Sequence, residues 1–120
     1  MTDLIEKYTD MDHCPVRIIL DRLGDKWSML VISILNEAGT LRFNELNRSI
    51  ADISQKMLTT TLRSLEADGL VERKVFAEVP PRVEYSLTAR GKTLVPHIDG
   101  LVQWALSNFD EIMTSRKAFA

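Results

Sequence analysis

FNELNRSIADISQKMLTTTLRSLEADG, residues 43–69, is the stretch on which the fold turns. It carries two apolar stripes at helical spacing: Phe43, Leu46 and Ile50, then Leu58, Leu62 and Leu65. Segment 51–53 separates them as a turn. Ser54 stands where an N-cap belongs, because its short hydroxyl side chain can accept from an amide of the first helical turn. Ile53 just before it suits a hydrophobic staple. Gly69 closes the second stripe, so the stretch reads as two short helices across a tight turn.

Upstream, Pro15 fits a first helical position, and Val16, Ile19, Leu20 and Leu23 follow on one face until Gly24, expected to supply a left-handed stop. Asp25 can cap a second helix with Trp27, Leu30, Val31, Ile34 and Leu35 inward, ending at Gly39. Residues 40–42 read as a short extended piece. Downstream, 71–78 and 82–88 are rich in β-branched and aromatic residues, and Val79-Pro80-Pro81 between them suits a hairpin tip. Thr88 then caps a last helix in which Leu94, Ile98, Leu101, Ala105, Phe109 and Ile112 make a seam close to that of a coiled coil. Pro96 inside it is expected to kink or divide it. The element order is that of a winged helix-turn-helix, mainly α with a small β-hairpin. One domain over 1–120 is expected, with the helix-turn-helix at about 43–68, the wing at about 71–88 and the terminal helix at about 89–115.

With 120 residues and 13.7 kDa, the chain has room for one hydrophobic core. Five Gly, four Pro and one Cys in a chain 45% hydrophobic argue against both disorder and a disulfide scaffold. The longest apolar run, 29–35, is interrupted by Ser33 and far too short to span a bilayer. The start MTDLIE has no signal-peptide character, so a cytoplasmic location is expected, and a lone cysteine suits it. A net charge of −2 excludes a protein that coats polyanions indiscriminately. The charge is unevenly spread, however. Residues 1–53 hold 6 bases and 9 acids and residues 93–120 hold 2 and 3, whereas residues 54–92 hold 7 and 5.

The positive segment contains the second helix of the turn unit. With its leucines inward, Gln55, Lys56, Thr59, Thr60 and Arg63 fall on the other face beside Ser54, and no acid occurs from 54 to 65. Gln can pair with adenine, Lys and Arg with guanine, and a Thr methyl can meet thymine, so this face suits the major groove of double-stranded DNA. The competing readings are a merely solvated face, or a winged helix that docks on another protein without sequence-specific DNA binding. Arg73, Lys74 and Arg82 of the hairpin suit phosphates or a narrow minor groove, or else protect a sheet edge. Cys14 lies beside His13 at a helix start, where amides and the helix dipole favour a thiolate; the alternative is a small buried residue. Leu101, Trp104, Ala105, Phe109 and Ile112 are candidates for a dimer interface. No metal site is expected, because His13, Cys14 and His97 do not make a zinc spacing. Phosphate-binding glycine loops and nucleophile-elbow motifs are also missing, so neither a cofactor nor enzymatic activity is expected.

Several blocks together resemble the HxlR-type, MarR-like branch of bacterial winged-helix regulators. They are Cys14-Pro15, Gly24-Asp25-Lys26-Trp27, Arg42-Phe43-Asn44-Glu45-Leu46, Ile53-Ser54-Gln55-Lys56-Met57-Leu58-Thr59, the run from Leu62 to Arg73, the run from Val79 to Thr88, and Gly91. The resemblance covers roughly residues 13–105. It implies a homodimer built from N- and C-terminal helices that binds an inverted-repeat (palindromic) operator and usually represses. It also implies a recognition helix starting at Ser54 and a wing tip at Pro80-Pro81-Arg82. In several relatives a cysteine at the position of Cys14 senses oxidants or electrophiles. With no second cysteine in this chain, the open routes are a Cys14–Cys14 bridge, a mixed disulfide, alkylation, or no sensing.

Overall fold

The computed structural model describes residues 14–119; His13, expected beside the thiol, lies outside them. In chain order the elements are α1 (Pro15–Leu23), α2 (Ser28–Ala38), β1 (Thr40–Arg42), α3 (Phe43–Ser49), α4 (Gln55–Ala67), β2 (Val71–Phe76), β3 (Arg82–Leu87) and α5 (Ala89–Phe119). The strands form an antiparallel sheet in the order β1-β3-β2. The architecture is therefore a winged helix, mostly helical with a three-stranded sheet.

α2 runs through the core. Val31, Ile32 and Leu35 on it are buried with Leu46 and Ile50 of the α3 region, Ile53 of the turn, Leu58, Leu62 and Leu65 of α4, and Val71, Tyr85 and Leu87 of the sheet. Leu30, expected inward, is 47% exposed, whereas Ile32 is fully buried. From Met29 to Leu35 the helix is almost wholly apolar, so periodicity alone leaves its inward phase ambiguous, and packing settles it one position away. Asp25 does the capping: its carboxylate accepts from the amides of Trp27 (2.7 Å) and Ser28 (2.8 Å) and from the Ser28 hydroxyl. Partial burial raises the Asp25 pKa, but these donors outweigh it and hold the carboxyl below its ordinary value.

Gly24 does not adopt the expected left-handed conformation. Its φ is −78°, and α1 ends on the bond from the Gly24 amide to the Leu20 carbonyl. Left-handed glycines do occur at Gly39 and Gly69, after α2 and α4. The strands leave a tip at 77–81, so β2 ends at Phe76, short of the expected 78.

The start of α5 is tied to the end of α4. The Thr88 hydroxyl donates to the Gly69 carbonyl (2.6 Å) and accepts from the Gly91 amide (3.0 Å), while the Thr88 amide donates to the Leu70 carbonyl. Gly91 is buried where a Cβ would collide with that same carbonyl. α5 is not divided at Pro96 and continues to Phe119, beyond the expected 115. Pro96 lies on an exposed face, so the Lys92 carbonyl that loses its helical partner there can bond water instead.

Only the first part of α5 packs on the core, through Leu94, Val95 and Ile98. From residue 99 to 119 every side chain is exposed except the half-buried Asn108. This projection helps to give a radius of gyration of 17.4 Å, against about 13.6 Å for a compact chain of this length. Among the described residues no helix is long and apolar enough to cross a membrane.

Candidate nucleic-acid interface

Ser54 has extended backbone dihedrals, and its hydroxyl accepts from the Met57 amide at 3.0 Å. α3 and the turn are linked by the Asn47 side chain, which donates to the Ile53 carbonyl at 3.4 Å. Ile53 and Leu58, the staple positions, both enter the core. These restraints orient α4 so that Leu58, Thr61, Leu62 and Leu65 are buried and Gln55, Lys56, Thr59, Thr60 and Arg63 are exposed. The exposed face from Gln55 to Arg63 is about 12 Å long at the rise of an α-helix. The Thr59 and Thr60 hydroxyls donate back to the Gln55 (2.9 Å) and Lys56 (3.0 Å) carbonyls, which fixes both side chains against the helix.

The hairpin bases divide between two faces. Arg73 lies opposite Tyr85 in the register, on the face of the sheet that turns toward α4. Thr59, Leu62, Arg63, Glu66, Arg73 and Tyr85 line one groove there. Lys74 lies opposite Glu84 and Arg82 opposite Phe76, so both belong to the other face. Arg82 stacks on the Phe76 ring at 4.0 Å and pairs with Glu78 and Glu84, each at 3.2 Å, leaving its side chain 28% exposed. Its charge is thus matched within the wing, whereas the exposed Arg73 joins Arg63.

Sequence reasoning overlooked three features of this surface. Met57 is exposed on α4. Glu66, one residue past the acid-free window, joins the groove that contains Arg63 and Arg73. Arg42, Asn44, Glu45 and Arg48 line a shallow groove along α3, and Arg42 and Asn44 also line a second groove with Pro81 and Arg82 of the wing. The polar spacing of Asn44 and Arg48, four residues apart, was the available signal.

Cys14 is the N-cap of α1, with its Sγ accepting from the Arg17 amide at 3.5 Å, and it is only 3% exposed. It therefore combines the geometry expected of a helix-start thiol with the burial expected of a small core residue. α1 itself buries none of its residues, and Ile18, Ile19 and Leu20 are exposed. Leu101, Trp104, Ala105, Phe109 and Ile112 of α5 are exposed as well, together with Val102, Leu106 and Met113, which lie outside the seam read from the sequence.

A basic, outward-facing second helix of a helix-turn-helix, flanked by a β-hairpin, defines a DNA-binding transcription regulator of the winged-helix class. The chain belongs to the HxlR-like helix-turn-helix family, whose profile matches residues 22–113. It is 50% identical to a helix-turn-helix-type transcriptional regulator of Methanothermobacter thermautotrophicus over 76% of this chain and 69% of that one. It is 44% identical to the helix-turn-helix-type transcriptional regulator YybR of Bacillus subtilis, over 91% of this chain and 86% of the relative. Among solved structures, the redox regulator HypR in its reduced form superposes with a TM-score of 0.78 at 45% identity, covering 83% of this chain and 98% of HypR. The family and these relatives are transcriptional regulators, and the protein is not an enzyme.

Proposed function

We propose that two copies of the chain pair through α1 and α5, bind an inverted-repeat operator in the cytoplasm and repress transcription, with Cys14 as the point of redox or electrophile control. The observation that carries this reading is the exposed face of α4 from Gln55 to Arg63, which carries no acid. Gln55 and Lys56 in its first turn reach base edges, Thr59, Thr60 and Arg63 extend the contact along the groove, and Ser54 and Arg73 meet phosphates. Lys74 on the edge strand β2 and Arg82 on β3 meet the DNA backbone from the other face of the wing, Lys74 as the more available charge. The reading unit comprises α3, α4 and the β2–β3 hairpin, and α5 serves assembly.

The exposed apolar side chains of α1 and α5 support pairing, since this much uncovered apolar surface on a small domain calls for a partner. Support for control through Cys14 comes from HypR, which also superposes in its oxidised form at 47% identity. Further support comes from a path through the fold. Cys14 caps the start of α1, and Arg22 in its last turn pairs at 2.5 Å with Asp68, the C-cap of α4. A group added to so buried a sulfur needs room that α1 must yield, which disturbs the helix that braces α4.

DNA selected from a random pool, then footprinted, tests the reading. Two half-sites one helical turn apart, about 34 Å, are expected. A single unpaired site, or no enrichment over random duplex, overturns it.

A further inference from the structure

The middle strand of the sheet carries an acid among the bases of the wing. The register sets Glu84 of β3 opposite Arg42 of β1 on one side and Lys74 of β2 on the other, with Arg82 two residues away on the same face. Its carboxylate is committed to Arg82, 3.2 Å from Nε, while Glu78 takes Nη1 of the same guanidinium, also at 3.2 Å. The Phe76 ring lies against that guanidinium at 4.0 Å. Nε is closed to water and has no aligned hydrogen bond, so the Glu84 charge is what compensates its burial. Among the described residues Arg82 is the only base from 42 to 82 that forms an ion pair. The wing thus surrounds one positive charge with two negative ones, although every other base of the reading unit stands unmatched.

We infer that Glu84 and Glu78 are specificity-determining residues, which withhold Arg82 from the backbone of random duplex and yield it only where α4 is seated in its operator. The inference rests on the proposed reading of DNA by α4. Random duplex is bound by charge, as cations of the protein replace the counterions of the phosphates. A guanidinium already neutralised by two carboxylates adds nothing to that exchange. On the operator, α4 in the major groove fixes the hairpin over the backbone, so a phosphate meets Arg82 at high effective concentration. Glu78 is the partner it displaces, being 48% exposed and therefore the more weakly paired, while Glu84, 26% exposed, keeps the guanidinium on Phe76.

Fluorescence anisotropy of the full chain on random duplex and on the selected operator tests this. One added phosphate contact is worth about fivefold between 1 M and 0.15 M salt. Glu78→Gln/Glu84→Gln should therefore bind random duplex about fivefold more tightly at 0.15 M salt, with a salt slope steeper by about 0.9, and gain less than about twofold on the operator. Glu78→Gln alone, at the exposed tip, should give part of the gain; loss of fold would weaken binding, so a gain cannot come from it. Arg82→Ala in the wild type should weaken the operator complex about fivefold and change random-duplex binding by less than about twofold. Added to the double variant, it should remove the gain on random duplex. Glu37→Gln/Asp99→Asn, which removes two acids from exposed positions on α2 and α5, should leave discrimination unchanged. No gain in either glutamine variant, a gain that survives Arg82→Ala, or an equal gain in Glu37→Gln/Asp99→Asn overturns the inference and leaves the reading of DNA by α4 standing. A wild type that does not distinguish operator from random duplex overturns both.

Discussion

Phe109→Ala should break the proposed dimer while leaving the fold of each chain intact. The ring is 58% exposed, in the part of α5 that projects beyond the core. A phenylalanine of about 200 Å² then leaves about 115 Å² open to water, or about 230 Å² over two copies in a two-fold interface. If about half of this becomes covered, burial at about 25 cal/mol per Å² contributes about 3 kcal/mol per dimer. That corresponds to about a 150-fold rise in the dimer dissociation constant. Sedimentation velocity across a dilution series measures it, and far-ultraviolet circular dichroism of the variant checks that the helices persist. A wild-type chain that sediments as a monomer throughout, or a variant within about threefold of wild type, would refute the reasoning.

The two helical glycines of α5 should respond with opposite signs in urea unfolding. Gly91→Ala forces a Cβ into the Leu70 carbonyl and should destabilise by about 2–3 kcal/mol, whereas Gly100→Ala meets nothing within 4 Å and should stabilise by up to about 1 kcal/mol through helix propensity. Asp25→Ala removes the cap of α2 and should cost about 1 kcal/mol at neutral pH. Because the folded pKa of Asp25 lies below its unfolded value, the part due to ionisation is fully present above pH about 4. It is lost as the pH falls through the folded pKa, so an Asp25→Asn difference that does not shrink between pH about 7 and pH about 2 would contradict the capping geometry. An oxidant or alkylating electrophile should release DNA from the wild type and not from Cys14→Ala; equal release from both removes Cys14 from the mechanism.

The helix-turn-helix was legible because local signals agree there: two leucine-rich stripes, the Ser54 cap and the Ile53 staple all specify the same turn. The sheet order was not, because the pairing of β1 with β3 joins residues more than forty positions apart and leaves no local trace. Apolar periodicity identified the faces of α1 and α5 without saying what covers them, and within the described chain those faces are open. The seam read from α5 was also too narrow. Val102, Leu106 and Met113 widen it, as expected when both flanks of a helix are apolar. On the wing, composition found the bases but not their direction. Strand alternation alone puts Arg73 and Lys74 on opposite faces, but only the packing shows that Arg73 faces α4, and only the pairing of the strands puts Arg82 on the side of Lys74. The match of Arg82 to Glu78 and Glu84 likewise emerges only once the strands are paired.

The central claim, that the outward face of α4 reads DNA, is tested most directly by comparing Lys56→Ala/Arg63→Ala with wild type on the selected operator and on random duplex over a range of salt. Loss of one bidentate base contact costs about 1–3 kcal/mol, and each lost phosphate contact lowers the salt slope by about 0.9. The account predicts a fall of at least about tenfold in operator affinity, a smaller fall on random duplex and unchanged assembly mass. Operator affinity equal to wild type, or a wild-type affinity that does not change with salt, would contradict it.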